Sequence, residues 1–204
     1  MRYIDLTHTF TDAMPTYPGD PESYLRQIAS IEKDGYADHK LETTIHVGTH
    51  IDAPAHMIKG GKQIDELPLE AFRGDGTLID ARGKSGIGVE LLLGVSVPKE
   101  AVILLLTGFS RYFREPRYFG EYPAMTESLA EELVKWKIKM VGFDTPSPDR
   151  PPFAVHKILL NAGILIIENL TNLESLLEVE KFEIQAFPIK LSADAAPARV
   201  VARC

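Results

Sequence analysis

The sequence predicts a strand-rich mixed α/β fold with few helices. Three observations carry that expectation. Short β-type runs outnumber helical segments. Each of two helical segments is followed by an apolar run of the kind buried on both sheet faces. Glycine and proline are dispersed through the 204 residues, with no repeat, low-complexity tract or linker. One domain spanning residues 1–204 is expected.

The β-type runs, in order, are Tyr3 to Leu6, Leu41 to Val47, Thr77 to Asp80, Ala101 to Leu106, Met140 to Phe143, Ile164 to Ile167 and Phe182 to Ile189. Ala101 to Leu106 and Ile164 to Ile167 are apolar throughout, the pattern of strands covered on both faces. The first helix is capped by Thr126, after which Leu129, Leu133 and Trp136 recur at helical spacing up to about Lys137. The second runs from about Phe153 to Ala162, with Val155, Ile158 and Leu159 apolar and Gly163 as the stop.

Apolar residues make up 45% and charged residues 25%, normal for a chain long enough to bury about 70% of its unfolded surface. Disordered, collagen-like and disulfide-scaffold classes are excluded. Lys and Arg total 22 against 29 Asp and Glu, a net charge of −7. The densest basic cluster, Arg111, Arg114 and Arg117, is broken by aromatics, Glu115 and Pro116, so no nucleic-acid partner is expected. The apolar runs fall far short of the ~20 residues of a membrane span, and the start lacks the apolar stretch of a signal peptide. The one cysteine, Cys204, excludes an internal disulfide and a cysteine-based zinc site. A reducing, cytoplasmic setting is expected.

Three of the six histidines fall within eleven residues: His46-Val47-Gly48-Thr49-His50-Ile51-Asp52-Ala53-Pro54-Ala55-His56. The side chains able to bind metal stand at even positions, while Val47, Ile51, Ala53 and Ala55 stand at odd ones. In extended chain, alternate residues share a face, so His50, Asp52 and His56 would point one way. A helix fits poorly, because Asp52 would lie far round from His46 and His50, and Gly48 and Pro54 resist a helix interior. A straight strand would hold His46 and His50 about 13 Å apart, too far for one metal, so a bend at Gly48 is expected. Thr49 is read as serving the local turn.

Further ligands must come from elsewhere. His156 lies on the second helical segment, after the proline-rich turn Pro146 to Pro152, and Glu168 ends the run Gly163 to Ile167. A carboxylate at the end of a buried strand is where α/β sheets commonly place ligands. Both are candidates on position alone.

The eleven-residue motif resembles the signature of the metal-dependent hydrolases of the cyclase family, which includes kynurenine formamidases (arylformamidases) and isatin hydrolases. The resemblance extends through Asp5-Leu6-Thr7, Tyr17-Pro18-Gly19-Asp20, Leu106-Thr107-Gly108, Gly142 to Ser147, Ile167-Glu168-Asn169-Leu170 and Ala193 to Arg199. It implies a swivelling β/β/α single domain, dimeric or tetrameric, with one or two divalent metal ions, Zn²⁺ first and Mn²⁺ or Fe²⁺ as alternatives. It further implies that His46, His50 and Asp52 hold one metal, that Asp52 bridges to a second held by His156 and Glu168, and that His56 donates and accepts the proton. Tyr17 stands where formamidases carry a Trp that contacts the aromatic substrate. Phe153-Ala154-Val155 precedes His156, where formamidases tend to have a polar pair.

The expected activity is hydrolysis of an aryl formamide by metal-activated water, with N-formylkynurenine as substrate and kynurenine and formate as products. The alternatives are hydrolysis of a cyclic amide such as isatin, and a non-catalytic metal-dependent binding protein. The absence of Gly-x-Ser-x-Gly argues against a serine-nucleophile route.

Overall fold

The computed structural model describes residues 1–204. In chain order its elements are β1 (Tyr3–Asp5), β2 (Tyr24–Ala29), the four-residue α1 (Ile31–Asp34), β3 (Asp38–Glu42), β4 (His50–Asp52), β5 (Arg73–Asp80), β6 (Gly86–Ile87), β7 (Val102–Leu106), β8 (Ala124–Met125), α2 (Glu127–Trp136), β9 (Met140–Phe143), α3 (Ala154–Asn161), β10 (Leu165–Glu168), β11 (Glu183–Pro188) and β12 (Ala195–Arg203). Several short 3₁₀ turns connect them. The strand-rich α/β expectation therefore holds.

Eight strands form one sheet in the order β1-β12-β11-β5-β7-β9-β10-β4. β5, β7, β9 and β10 run parallel. β12 pairs β11 along one edge; along the other it pairs β4 at its start and β1 at its end. Because β4 also pairs β10 antiparallel, the sheet closes on itself into a barrel-like arrangement, with β1 outside the closure.

Strand periodicity divides the core into two compartments. Along β7, Val102, Leu104 and Leu106 join an inner cluster with Ile51, Ile167 and Ile184. Ile103 and Leu105 point the other way, to a second cluster with Leu129 and Leu133 of α2 and Val155 and Leu159 of α3. All five β7 residues are fully buried, as their unbroken apolar run predicts. At β9, Gly142 faces the inner cluster, where a Cβ would come within 2.7 Å of Leu170 and 2.8 Å of Leu104. Thr126 caps α2 as expected, its hydroxyl accepting from Leu129 N–H at 3.3 Å.

Two expectations need correction. The run Leu41 to Val47 is not a strand beyond Glu42, because the chain must turn there to bring His46 back toward β4. The longest strand, β12, was not expected: its alanines and Pro197 carry little β propensity, and its pairing along both edges holds it in place. β2 and β3 pair only with each other and form an arm outside the barrel, with every β3 residue exposed.

Candidate metal centre

The parallel strands place their C-terminal ends together, and the site forms there. Glu168 is the last residue of β10, and it lies directly opposite His50, the first residue of β4. The loop after β9 leads through Asp149 to α3, which carries His156. Gly48, at φ 64°, makes the expected bend, and His46 folds back over His50, their ring centroids 5.2 Å apart. The expected shared face of His50, Asp52 and His56 needs one refinement. The extended chain stops at Asp52, and His56 arrives on a 3₁₀ turn, Pro54–His56.

All five expected ligand residues converge. His46 Nδ1 lies 3.0 Å and His50 Nε2 3.4 Å from Asp52 Oδ1. His156 Nε2 is 3.8 Å from Asp52 Oδ2 and 3.3 Å from Glu168 Oε1. His50 Nε2 is 3.3 Å from Glu168 Oε2. Asp52 is thus central. His50, Asp52, His156 and Glu168 are buried, while His46 and His56 are half-buried.

The remaining ring nitrogens are held from behind. His50 Nδ1 lies 2.8 Å from the Gly48 carbonyl, and His156 Nδ1 lies 2.5 Å from Asp149 Oδ1. Asp194 Oδ2 joins two rings, at 3.1 Å from His46 Nε2 and 3.0 Å from His56 Nδ1. Such outer contacts fix which nitrogen faces inward. Sequence reasoning missed Asp149 and Asp194. Asp194 lay within the matching segment Ala193 to Arg199, but nothing in that segment singled it out. Thr49 does not serve a local turn: its hydroxyl donates to the Asn169 carbonyl at 2.5 Å and accepts from His8 N–H at 3.0 Å.

The donor set fits a divalent cation. His50 Nε2, both Asp52 oxygens and Glu168 Oε1 are buried without a hydrogen-bond partner and are held only by facing charges 3.0–3.8 Å away, which leaves ligating capacity that a cation would take up. Imidazole and carboxylate ligands suit Zn²⁺, Mn²⁺ and Fe²⁺. Without a cation, the histidines neutralise the acids. Burial opposes charge on His50, yet Asp52 and Glu168 hold it protonated well above its ordinary range. Burial likewise opposes charge on His156, but Asp149 and Glu168 raise it to about 10. Burial would raise Asp52, and His50 and His46 outweigh it, keeping the carboxyl ionised well below its usual value.

Beside the cluster opens a cavity of about 260 Å³, whose lining includes His46, His56, His156 and Glu168 together with the aromatic Tyr17, Phe119 and Phe153. Tyr17 meets Phe119 edge-on at 5.9 Å, and Phe153 meets His156 edge-on at 5.6 Å. Tyr17 therefore lines the cavity within one chain. Of the seven expected residues, Tyr17, His46, His56, His156 and Glu168 line the cavity, and His50 and Asp52 do not.

A family profile described as Putative cyclase matches residues 4–150. The chain is 30% identical over 206 aligned residues to a kynurenine formamidase of Bacillus cytotoxicus, covering 98% of this chain and 97% of that one. It is 32% identical to a kynurenine formamidase of Bacillus cereus with the same coverage. The fold matches isatin hydrolase A from Labrenzia aggregata bound to benzyl benzoate, with a TM-score of 0.85 and 26% identity, covering 98% of this chain and 93% of that one. It also matches a potential metal-dependent hydrolase with cyclase activity, with a TM-score of 0.80 and 29% identity over 98% and 96% of the two chains.

Proposed function

The chain belongs to the Putative cyclase family, and on that premise we propose that it is a metal-dependent amide hydrolase acting on an aryl formamide, with N-formylkynurenine as the substrate and kynurenine and formate as products. The observation that carries the reading is the set of buried ligand atoms on His50, Asp52 and Glu168 without hydrogen-bond partners, with Glu168 also lining a cavity that Tyr17, Phe119 and Phe153 share.

In this reading His46, His50, Asp52, His156 and Glu168 hold one or two divalent ions, Zn²⁺ first. A bound divalent cation acidifies water and polarises a carbonyl. His56 does the proton work. Its Nδ1 is engaged by Asp194, which leaves Nε2 to take a proton from the attacking water and return it to the departing amine nitrogen. Asp194 would steady the imidazolium while it carries that proton. Tyr17, Phe119 and Phe153 would pack the aryl ring.

A cyclic amide such as isatin is the second reading, favoured by the similarity to isatin hydrolase A. Parallel turnover assays on N-formylkynurenine and isatin with the metal-loaded protein separate the two. Loss of all turnover on both would overturn the hydrolase reading.

The same reading places the protein in the cytoplasm as a homodimer or homotetramer. The free Cys204 supports a reducing setting. No helix is long and apolar enough to cross a membrane. The exposed arm, with Ile28, Ile31, Tyr36 and Leu41 facing outward, supports self-association, since an isolated hairpin has little stability of its own. Light scattering on the purified protein measures the oligomeric state directly.

A further inference from the structure

Glu168 and Asn169 are consecutive, yet both line the same cavity. Neighbouring residues in a continuing strand face opposite sides. Here β10 ends at Glu168, and Asn169 adopts φ 55°, a left-handed conformation in which Asn is tolerated better than most side chains. The turn brings the Asn169 carboxamide round to the side of Glu168. Its backbone is tied on both sides: Asn169 N–H donates to the Thr145 carbonyl at 3.0 Å, and the Asn169 carbonyl accepts from the Thr49 hydroxyl.

The carboxamide is also oriented. The Tyr118 hydroxyl donates to Asn169 Oδ1 at 3.0 Å. Tyr118 is fully buried, and burial with the nearby Asp144 and Glu168 charges pushes its hydroxyl well above the usual range, so it remains a phenol with a proton to donate. With Oδ1 accepting from Tyr118, the two N–H groups of Nδ2 have no acceptor within the chain, on a residue that lines the cavity.

We propose that Asn169 is a built hydrogen-bond donor for the carbonyl oxygen of the substrate amide, aimed by Tyr118. The proposal rests on the amide-hydrolase reading. Negative charge develops on that oxygen as the carbon becomes tetrahedral, and a donor already in place stabilises it without reorganisation. A carbonyl oxygen has two lone pairs, so this hydrogen bond is compatible with a second electrophile on the same atom. Tyr118 does not reach the substrate in this account; it is a positioning residue.

Two measurements test the proposal. The first uses the ¹⁵N-labelled Zn²⁺-loaded protein with formate as the probe. The Asn169 side-chain NH₂ resonances, assigned by their loss in Asn169→Gly, should shift saturably as formate is added, and the shift should shrink in Tyr118→Phe. An NH₂ pair that stays unmoved at every formate concentration overturns the proposal, whether or not any substrate is turned over. The second is kinetic. Glycine accepts φ 55° without strain, and Tyr118→Phe removes the hydroxyl that Asn169→Gly would leave unpaired. The double variant should keep its metal content and KM while kcat falls about 100-fold. An equal kcat at equal metal content overturns the donor role while leaving the hydrolase reading intact. Absence of turnover in the unaltered protein overturns the hydrolase reading, and the formate titration still decides the donor.

Discussion

His50 and Glu168 face each other across the antiparallel pairing of β4 with β10, with Nε2 and Oε2 3.3 Å apart. Two segments more than a hundred residues apart are thereby locked in register at the point where the chemistry is proposed. A slip of either strand by one residue would turn its own side chain away from the site.

Asp52 touches three histidines, so its loss should be the most damaging of the ligand substitutions. Asp52→Ala should abolish metal retention and, in metal-free protein, remove the buried acid shared by His50 and His46, leaving Glu168 and Asp194 as their only acidic partners. Stability should fall by about 3–5 kcal/mol. Denaturant titration with elemental analysis checks both, and a metal-replete variant of normal stability would contradict the assignment.

His56 and Asp194 should separate chemistry from metal binding. His56→Ala should lower kcat by about 10²–10⁴ with metal content unchanged. Asp194→Asn, which keeps the shape but weakens the hold on His46 and His56, should lower it by about 10–100-fold. Equal metal occupancy with undiminished kcat in His56→Ala would remove His56 from the reaction.

Metal binding should release protons. In the metal-free cluster His50 and His156 are held protonated above their usual range by the buried acids, and ligated histidine must be neutral. Affinity should therefore rise with pH. Calorimetric titrations near neutral pH in buffers of different ionisation heat should report net proton release. No buffer dependence would contradict the charge arrangement.

Away from the site, His8 should make the fold sensitive to mild acid. Its ring stacks on Phe113 at 3.8 Å, and burial with the Arg114 charge lowers its pKa from 6.5 to about 4. The unfolded chain then binds a proton that the folded chain refuses, so stability present above about pH 6.5 is lost as pH falls toward 4. Allowing for its partial exposure, the loss is about 2 kcal/mol. His8→Phe keeps the stacking and should flatten this part of the stability profile. Identical profiles for the two proteins between pH 6.5 and 4 would contradict it.

Tyr17 should act on binding rather than chemistry. Tyr17→Ala should raise KM for aryl substrates about tenfold with kcat and metal content little changed. Tyr17→Trp should keep or improve activity on N-formylkynurenine. Unchanged kinetics in both would leave Tyr17 as a loop residue packed on Phe119.

The alternation of His50 and Asp52 was legible because a short extended segment writes its two faces directly into the sequence, while His46 and His56 reach the site through the bend at Gly48 and the turn Pro54–His56. Glu168 was legible as the polar end of an apolar run. Asp149 and Asp194 were not, since a single acid in a loop carries no periodicity and its partner lies far along the chain. Asn169 was hidden for a related reason: its direction depends on a left-handed turn that nothing before it announces. β12 was illegible because its stability comes from pairing with three other strands and not from the preferences of its alanines.

The central claim, that these five side chains enclose a divalent cation, is tested most directly by anomalous diffraction at the zinc absorption edge from crystals of the Zn²⁺-loaded protein. The account predicts one or two strong peaks, each at about 2.0–2.2 Å from its ligand atoms, with Asp52 bound in every case and His50, His46, His156 and Glu168 supplying the rest. A peak elsewhere, or full zinc content with no peak at Asp52, would contradict it.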